Sequence, residues 1–188
     1  MRRRNLPYLP NVNNGGLIPF IYRPDADEMN IWKQAAEARD ASARSKGYRD
    51  KHGASSDPAK GLGLHFLGVV GECVFARFQH LDDFVPTVDT FKSIPDVEDI
   101  EVRCRSRHYY DLIVRDDDDA SKRFVLATCE NGVDVWVWGW AWGKDAKQER
   151  FLKTYGGREP AWFVPKDYLQ PLDLIPWKGV RLASPSST

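Results

Sequence analysis

The segment from Pro95 to Arg105 constrains the fold of this chain more than any other. Its second half, IEVRCR, alternates apolar and charged residues. This alternation is typical of a half-buried strand, because successive side chains point to opposite faces of a sheet. The preceding turn carries the carboxylates of Asp96, Glu98 and Asp99. Mg²⁺ prefers oxygen ligands of this kind. The segment therefore indicates either a divalent-metal site or a solvated acidic surface.

The length and charge of the chain limit the classes of protein to consider. At 188 residues it fits one domain with a sizeable core. We expect an extended arm over residues 1–24, a single domain over 25–175 and a flexible tail over 176–188. Lys and Arg balance Asp and Glu at 27 each, so any site for a polyanion must be a local patch. Three scattered cysteines and no recognisable signal peptide predict a soluble cytoplasmic protein.

Two helices are predicted before the central strand. The first begins near Asp27 and ends near Gly47, and the second runs from about Leu62 to Gln79. The apolar face of the second helix contains Gly68 and Gly71. Glycine lowers helix propensity by about 1 kcal/mol relative to alanine, so these two residues predict a close approach of the helix to a sheet. Glu72 either faces solvent beside Arg77 or directs its carboxylate at the end of the sheet.

Further strands follow the same reasoning. Phe84–Val88 predicts an edge strand, because Pro86 is tolerated there. Asp111–Arg115 and Arg123–Thr128 predict a hairpin, and the four consecutive aspartates between them predict a solvated acidic turn, since the run lacks the pattern of a calcium loop. Ala161–Val164 predicts a last short strand.

The segment Val133–Trp142 places four tryptophans at alternating positions. Strand periodicity predicts that they share one face of a sheet. Such a face is covered by helices or the arm, forms a homodimer interface through Trp136–Trp142, or stacks on nucleic-acid bases.

Several of these segments together resemble the PD-(D/E)XK nuclease superfamily, and in particular the small nuclease-like proteins of phages and prokaryotes. In those proteins a G-x-x-G-E helix precedes a D…E-V-K strand, and a G-W pair and an aromatic-F-V-P segment follow. The matching segments here are Gly68–Glu72, Asp96, Glu101–Arg103, Gly139–Trp140 and Trp162–Pro165.

The resemblance implies an α/β fold with a central mixed sheet flanked by helices, a restriction-endonuclease-like core. It also implies a Mg²⁺- or Mn²⁺-dependent nuclease that hydrolyses phosphodiester bonds of nucleic acid, DNA being favoured, in a bacterial or phage-infected cell. Asp96, Glu101, Arg103 and Glu72 would be the catalytic residues. Asp96, Glu101, Glu72 and Asp99 would hold the metal, and Arg105 and Arg107 would contact phosphates.

Two positions differ from the family pattern. Only four residues separate Asp96 from Glu101, which leaves Asp89 and Asp99 as alternative second ligands. The lysine of the motif is Arg103, which keeps the positive charge but has no accessible neutral form. The alternative prediction is therefore a catalytically inactive nucleic-acid-binding or interaction module on the same fold.

Overall fold

The structure, a computed structural model, describes residues 17–47, 58–88 and 95–176. Its helices are α1 (Ala26–Ser45), α2 (Pro58–Phe78) and the short α3 (Gly143–Ala146). Its strands are β1 (Phe20–Tyr22), β2 (Ile100–Arg105), β3 (Leu112–Val114), β4 (Arg123–Cys129), β5 (Val135–Trp142), β6 (Leu152–Lys153) and β7 (Ala161–Val164). The predictions for residues 1–16, Asp89 and most of the tail lie outside the described residues.

The strands form two sheets. The larger sheet has the order β1-β5-β4-β2, in which β2 runs parallel to β4 and the other pairs are antiparallel. The smaller sheet has the antiparallel order β3-β7-β6. The predicted α/β class with a mixed sheet is confirmed.

The two faces of the larger sheet pack against different partners. On one face, Val102, Val125 and Val137 pack against α1 and α2 in one buried cluster. On the other face, Phe124 and Leu126 pack against the smaller sheet and α3 in a second cluster. The layer over this second face is therefore mainly a small sheet, where sequence had predicted helices.

Both predicted long helices are present, and each begins earlier than the sequence predicts. α1 is capped by Asp25, not by Asp27, because Asp25 and Glu28 form a reciprocal capping box. In α2, a Cβ added at Gly71 would lie 2.6 Å from the Cβ of Cys104. This confirms the predicted close approach to the sheet at Gly71, whereas a Cβ added at Gly68 would lie 3.4 Å from Nη1 of Arg39 in α1, so the prediction is wrong for Gly68. The stretch Gly61–Phe78 is long and apolar enough to cross a membrane, and here it serves as the core helix under the sheet.

Two predicted strand arrangements are wrong. Phe84–Val88 forms no strand, and Val85 is largely exposed. β3 and β4 form no hairpin, because β3 pairs with β7 while β4 pairs with β2 and β5. The acidic turn between them carries the chain from one sheet to the other.

The tryptophans of β5 do not share one face, contrary to the prediction. Leu126 lies opposite Gly139 but Ala127 lies opposite Val137, so the strand contains a β-bulge. A bulge adds one residue and reverses the alternation beyond it. Trp140 and Trp142 consequently pack with the helix-side cluster, and Trp138 packs with the second cluster. The homodimer through this strand stays a prediction.

Candidate functional site

Three of the predicted site residues meet at the end of the larger sheet, where β2 is the last strand. Asp96 Oδ2 accepts a hydrogen bond of 2.7 Å from the backbone N–H of Val102. Arg103 Nη1 lies 3.3 Å from Glu101 Oε2 and 3.8 Å from Asp96 Oδ2. The tight turn before β2, closed by two hydrogen bonds between Val97 and Ile100, holds Asp96 against the strand.

Two residues that the sequence did not indicate complete this group. Asp118 Oδ1 accepts from Arg103 Nη2 at 2.9 Å, and Lys122 Nζ donates to Glu101 Oε1 at 2.6 Å. The side chain of Asp118 is only 9% exposed. The prediction of a fully solvated acidic turn is therefore wrong for Asp118, because Arg103 and the N–H of Arg115 draw its carboxylate inward.

Glu72 joins the group from α2 through a buried ion pair. Arg39 of α1 binds it with two parallel hydrogen bonds, of 2.7 and 2.8 Å. The same guanidinium also donates to the carbonyl oxygen of Thr87. Glu72 is 3% exposed and pairs with Arg39, not with the Arg77 considered from sequence. Burial raises the pKa of Glu72, Arg39 opposes this, and Glu101 raises it further, so the carboxylate lies within electrostatic range of the sheet edge.

The charges of the group do not cancel. The carboxylates Glu72, Asp96, Glu101 and Asp118 face the cations Arg39, Arg103 and Lys122, which leaves one negative charge in excess. Burial, with Glu72 and Glu101 nearby, raises the pKa of Asp96 to about 7. Burial alone would lower the pKa of Arg103, but Asp118, Asp96 and Glu101 raise it. Because Asp96 is partly protonated around neutral pH, the excess negative charge is complete only above the pKa of Asp96, where an added cation is favoured.

The fit of a divalent metal differs among these carboxylates. Asp96 and Glu101 are hard oxygen donors at one strand edge, and the pKa of Asp96 is raised first by burial and then by the negative charges of Glu72 and Glu101. Both oxygens of Glu101 are bound to cations, and both oxygens of Glu72 are bound to Arg39. Among the residues described here, no group of three His, Cys, Asp or Glu side chains has the spacing of a metal site. Asp96 and Glu101 suit a metal in type, once Lys122 and Arg103 release Glu101.

The remaining predicted residues lie around this group. Asp99 forms an ion pair with the buried Arg123 and lines a cavity of about 410 Å³ beside Lys122. Arg105 follows Arg103 on the same face of β2, and Arg107 pairs with Glu130 at the surface. Asp89, the alternative ligand, lies outside the described residues.

Sequence reasoning missed Arg39, Asp118 and Lys122 for different reasons. Arg39 stands on the polar face of a predicted helix, where it resembles any solvated cation. Asp118 is one of four consecutive aspartates, and only tertiary structure selects it. Lys122 immediately precedes strand β4, which pairs in parallel with β2. Only a correct prediction of that pairing would have placed Lys122 beside Glu101. Comparisons of the chain with family models, curated proteins and solved structures gave no match.

Proposed function

We propose that this protein is a Mg²⁺- or Mn²⁺-dependent nuclease with a restriction-endonuclease-like core, acting on nucleic acid and preferentially on DNA. One observation carries the proposal. Asp96, Glu101 and Arg103 converge at the edge of β2, with Glu72 behind them and one negative charge in excess. A cluster with perturbed titration at a strand end is typical of a functional site.

Each residue of the group has a distinct role in this proposal. Asp96 and Glu101 would hold the metal, and a bound metal would lower the pKa of a water molecule and polarise the phosphoryl oxygen. Arg103 and Lys122 currently neutralise Glu101. A substrate phosphate offers these two cations a new partner, so its binding would free the oxygens of Glu101. Arg103 would then donate to the phosphate and stabilise the charge of the transition state.

The second candidate is an inactive nucleic-acid-binding module. It is favoured by Arg103, which cannot exchange a proton with an attacking water molecule, and by the engagement of both Glu101 oxygens. In this case the same ion network would stabilise the strand edge and bind phosphates without cleaving them.

Cleavage of supercoiled plasmid with Mn²⁺ or Mg²⁺ tests the nuclease. We expect the native protein to nick DNA above a Glu101→Ala blank, and Arg103→Lys to change the rate only modestly, because both residues supply a positive charge. An Arg103→Lys rate about 10²–10⁴-fold higher would assign proton transfer to this position and support an inactive native protein. If neither protein exceeds the blank on DNA or RNA, the nuclease proposal fails.

Calorimetric titration with Mn²⁺ tests the metal site separately. We expect Glu101→Ala to abolish binding and also to lower stability, because the side chain is only 14% exposed and pairs with both Lys122 and Arg103. Asp116→Ala is the matched control, because it removes an exposed carboxylate of the nearby acidic turn. Equal affinity in the native protein and Glu101→Ala would place the metal elsewhere.

A further inference from the structure

Two cations near the C-terminal end of β2 bind the same short loop. Arg105 Nη1 donates to the carbonyl oxygen of Asp111 at 3.2 Å, and Lys166 Nζ donates to that of Tyr110 at 3.0 Å. Each also lies over an aromatic ring, Arg105 at 4.9 Å from the Tyr110 centroid and Lys166 at 4.7 Å from that of Trp138. These contacts fix both charged groups in place.

Neither cation is neutralised by a carboxylate. Within the described part of the chain, no Asp or Glu oxygen lies within ion-pair distance of Arg105 or Lys166. Burial lowers the pKa of Arg105, and Arg115 and Arg158 act in the same direction while Asp111 opposes them. Burial also lowers the pKa of Lys166, although Asp111 and Asp167 act against it. Half-buried positive charges that form no direct ion pair favour the binding of an anion.

An exposed aromatic ring lies next to these cations. Tyr109 is 72% exposed, and its ring stands edge-on to Tyr110 with 4.8 Å between the centroids. One face of the Tyr109 ring is thus available for stacking. A base in a duplex is already stacked on both sides, whereas an unpaired base can stack on a protein ring.

From this arrangement we infer a subsite for single-stranded nucleic acid beside the candidate catalytic group. Arg105 and Lys166 bind one phosphate, and the adjoining base stacks on Tyr109. Arg105 lies two residues beyond Arg103 on the same face of the strand, a distance of about 6.6 Å. The subsite rests on the proposed function for its ligand class and adds the single-strand preference. In this subsite Lys166 takes the role of phosphate ligand that the sequence had suggested for Arg107, because Arg107 is already paired with Glu130.

Fluorescence anisotropy with a labelled oligonucleotide in EDTA tests the subsite without cleavage. We expect the single strand to bind more tightly than its duplex. The double variant Arg105→Gln/Lys166→Gln should reduce the slope of log K against log salt by about 0.7, the value for one phosphate contact, and each single variant should reduce it by part of that amount. Arg107→Gln removes the same charge two residues away and should change the slope little. Arg105→Lys should keep the slope, which separates the loss of charge from a loss of fold.

The stacking role has its own control. Tyr109→Ala should weaken binding of the single strand by about 5- to 150-fold. Tyr168→Ala should not, although Tyr168 is 52% exposed and also stands edge-on to a ring, that of Phe151. Equal losses in both variants, or no loss in Tyr109→Ala, would overturn the stacking role.

The outcomes separate this inference from the nuclease proposal. Binding in EDTA that depends on Arg105 and Lys166, without cleavage of plasmid or of single-stranded DNA or RNA in Mn²⁺ or Mg²⁺, would support the subsite and refute the nuclease. Nicking by the native protein with oligonucleotide binding unchanged in Arg105→Gln and Lys166→Gln would refute the subsite alone. A loss in Arg107→Gln as large as in Arg105→Gln would also refute it, because binding would then follow general charge.

Discussion

Replacing Glu72 by leucine should destabilise the protein strongly, for a reason that can be separated from any role in catalysis. The substitution removes a carboxylate that is 3% exposed and leaves the guanidinium of Arg39, itself 13% exposed, without its ion-pair partner. The carbonyl of Thr87 remains as a hydrogen-bond partner, but a carbonyl group neutralises no charge. We therefore expect the single variant to carry a buried, unpaired cation on which Asp96 acts only at longer range.

Breaking a buried ion pair from one side costs about 3–5 kcal/mol. For a chain of this length, about 2–4 °C of melting temperature is lost per kcal/mol, so the expected fall is about 6–20 °C. Arg39→Met should cost a similar amount. The double variant Arg39→Met/Glu72→Leu should recover most of the loss, because apolar side chains of similar volume need no counter-charge.

We would measure thermal and urea unfolding of the native protein, both single variants and the double variant, which together form a double-mutant cycle. The pair Arg23–Asp134 is the matched control, since its two hydrogen bonds have the same lengths, 2.7 and 2.8 Å, but its side chains are 66% and 36% exposed. Asp134→Leu should cost less than about 1 kcal/mol. A loss of that size for Glu72→Leu would refute the argument from burial. A stable double variant that cannot cleave DNA would give the Arg39–Glu72 pair a role in catalysis.

The remaining predictions concern packing, pH and assembly. Gly71→Ala should lower the free energy of unfolding in urea by about 1–3 kcal/mol, because the new Cβ would meet the Cβ of Cys104. Gly63 has open space around it, so Gly63→Ala should stabilise the helix by about 0.5–1 kcal/mol. Equal effects of the two substitutions would contradict the close approach of α2 to the sheet. Asp96 has a pKa of about 7 in the folded protein, against an ordinary value of 3.8. Between these pH values the folded state binds a proton that the unfolded state has lost. The free energy of unfolding should therefore fall as pH rises from about 4 to 7. Asp96→Asn should flatten this dependence in melting curves, and an unchanged slope would assign it to other groups. Trp136→Ser should convert the predicted homodimer to a monomer in light scattering, and an unchanged mass would argue against that interface.

Local sequence patterns predicted the elements better than their arrangement. The period of α2 and the alternation in β2 depend on residues close in sequence, and both elements are present. Which strand lies beside which depends on contacts distant in sequence, so the hairpin of β3 and β4 was predicted wrongly. The bulge opposite Leu126 and Ala127 is likewise set by packing on both faces of β5, and no local signal announces it.

The candidate site divides in the same way. Asp96, Glu101 and Arg103 lie close together in the sequence, so one motif could indicate all three. Arg39 and Asp118 reach the group only because α1 packs on α2 and because the acidic turn folds over β2. A charged residue on a polar helix face or in a run of aspartates carries no mark of its future partner.

The position of β2 at the end of its sheet also affects solubility. An edge strand offers unpaired N–H and C=O groups on which another chain can add a strand and begin to aggregate. Here Asp96 already occupies the N–H of Val102, and the charges of Glu101, Arg103 and Arg105 oppose the docking of an apolar strand. The candidate site residues thus also protect the edge of the fold. A chain that lost them would lose the proposed function and expose a surface prone to self-association.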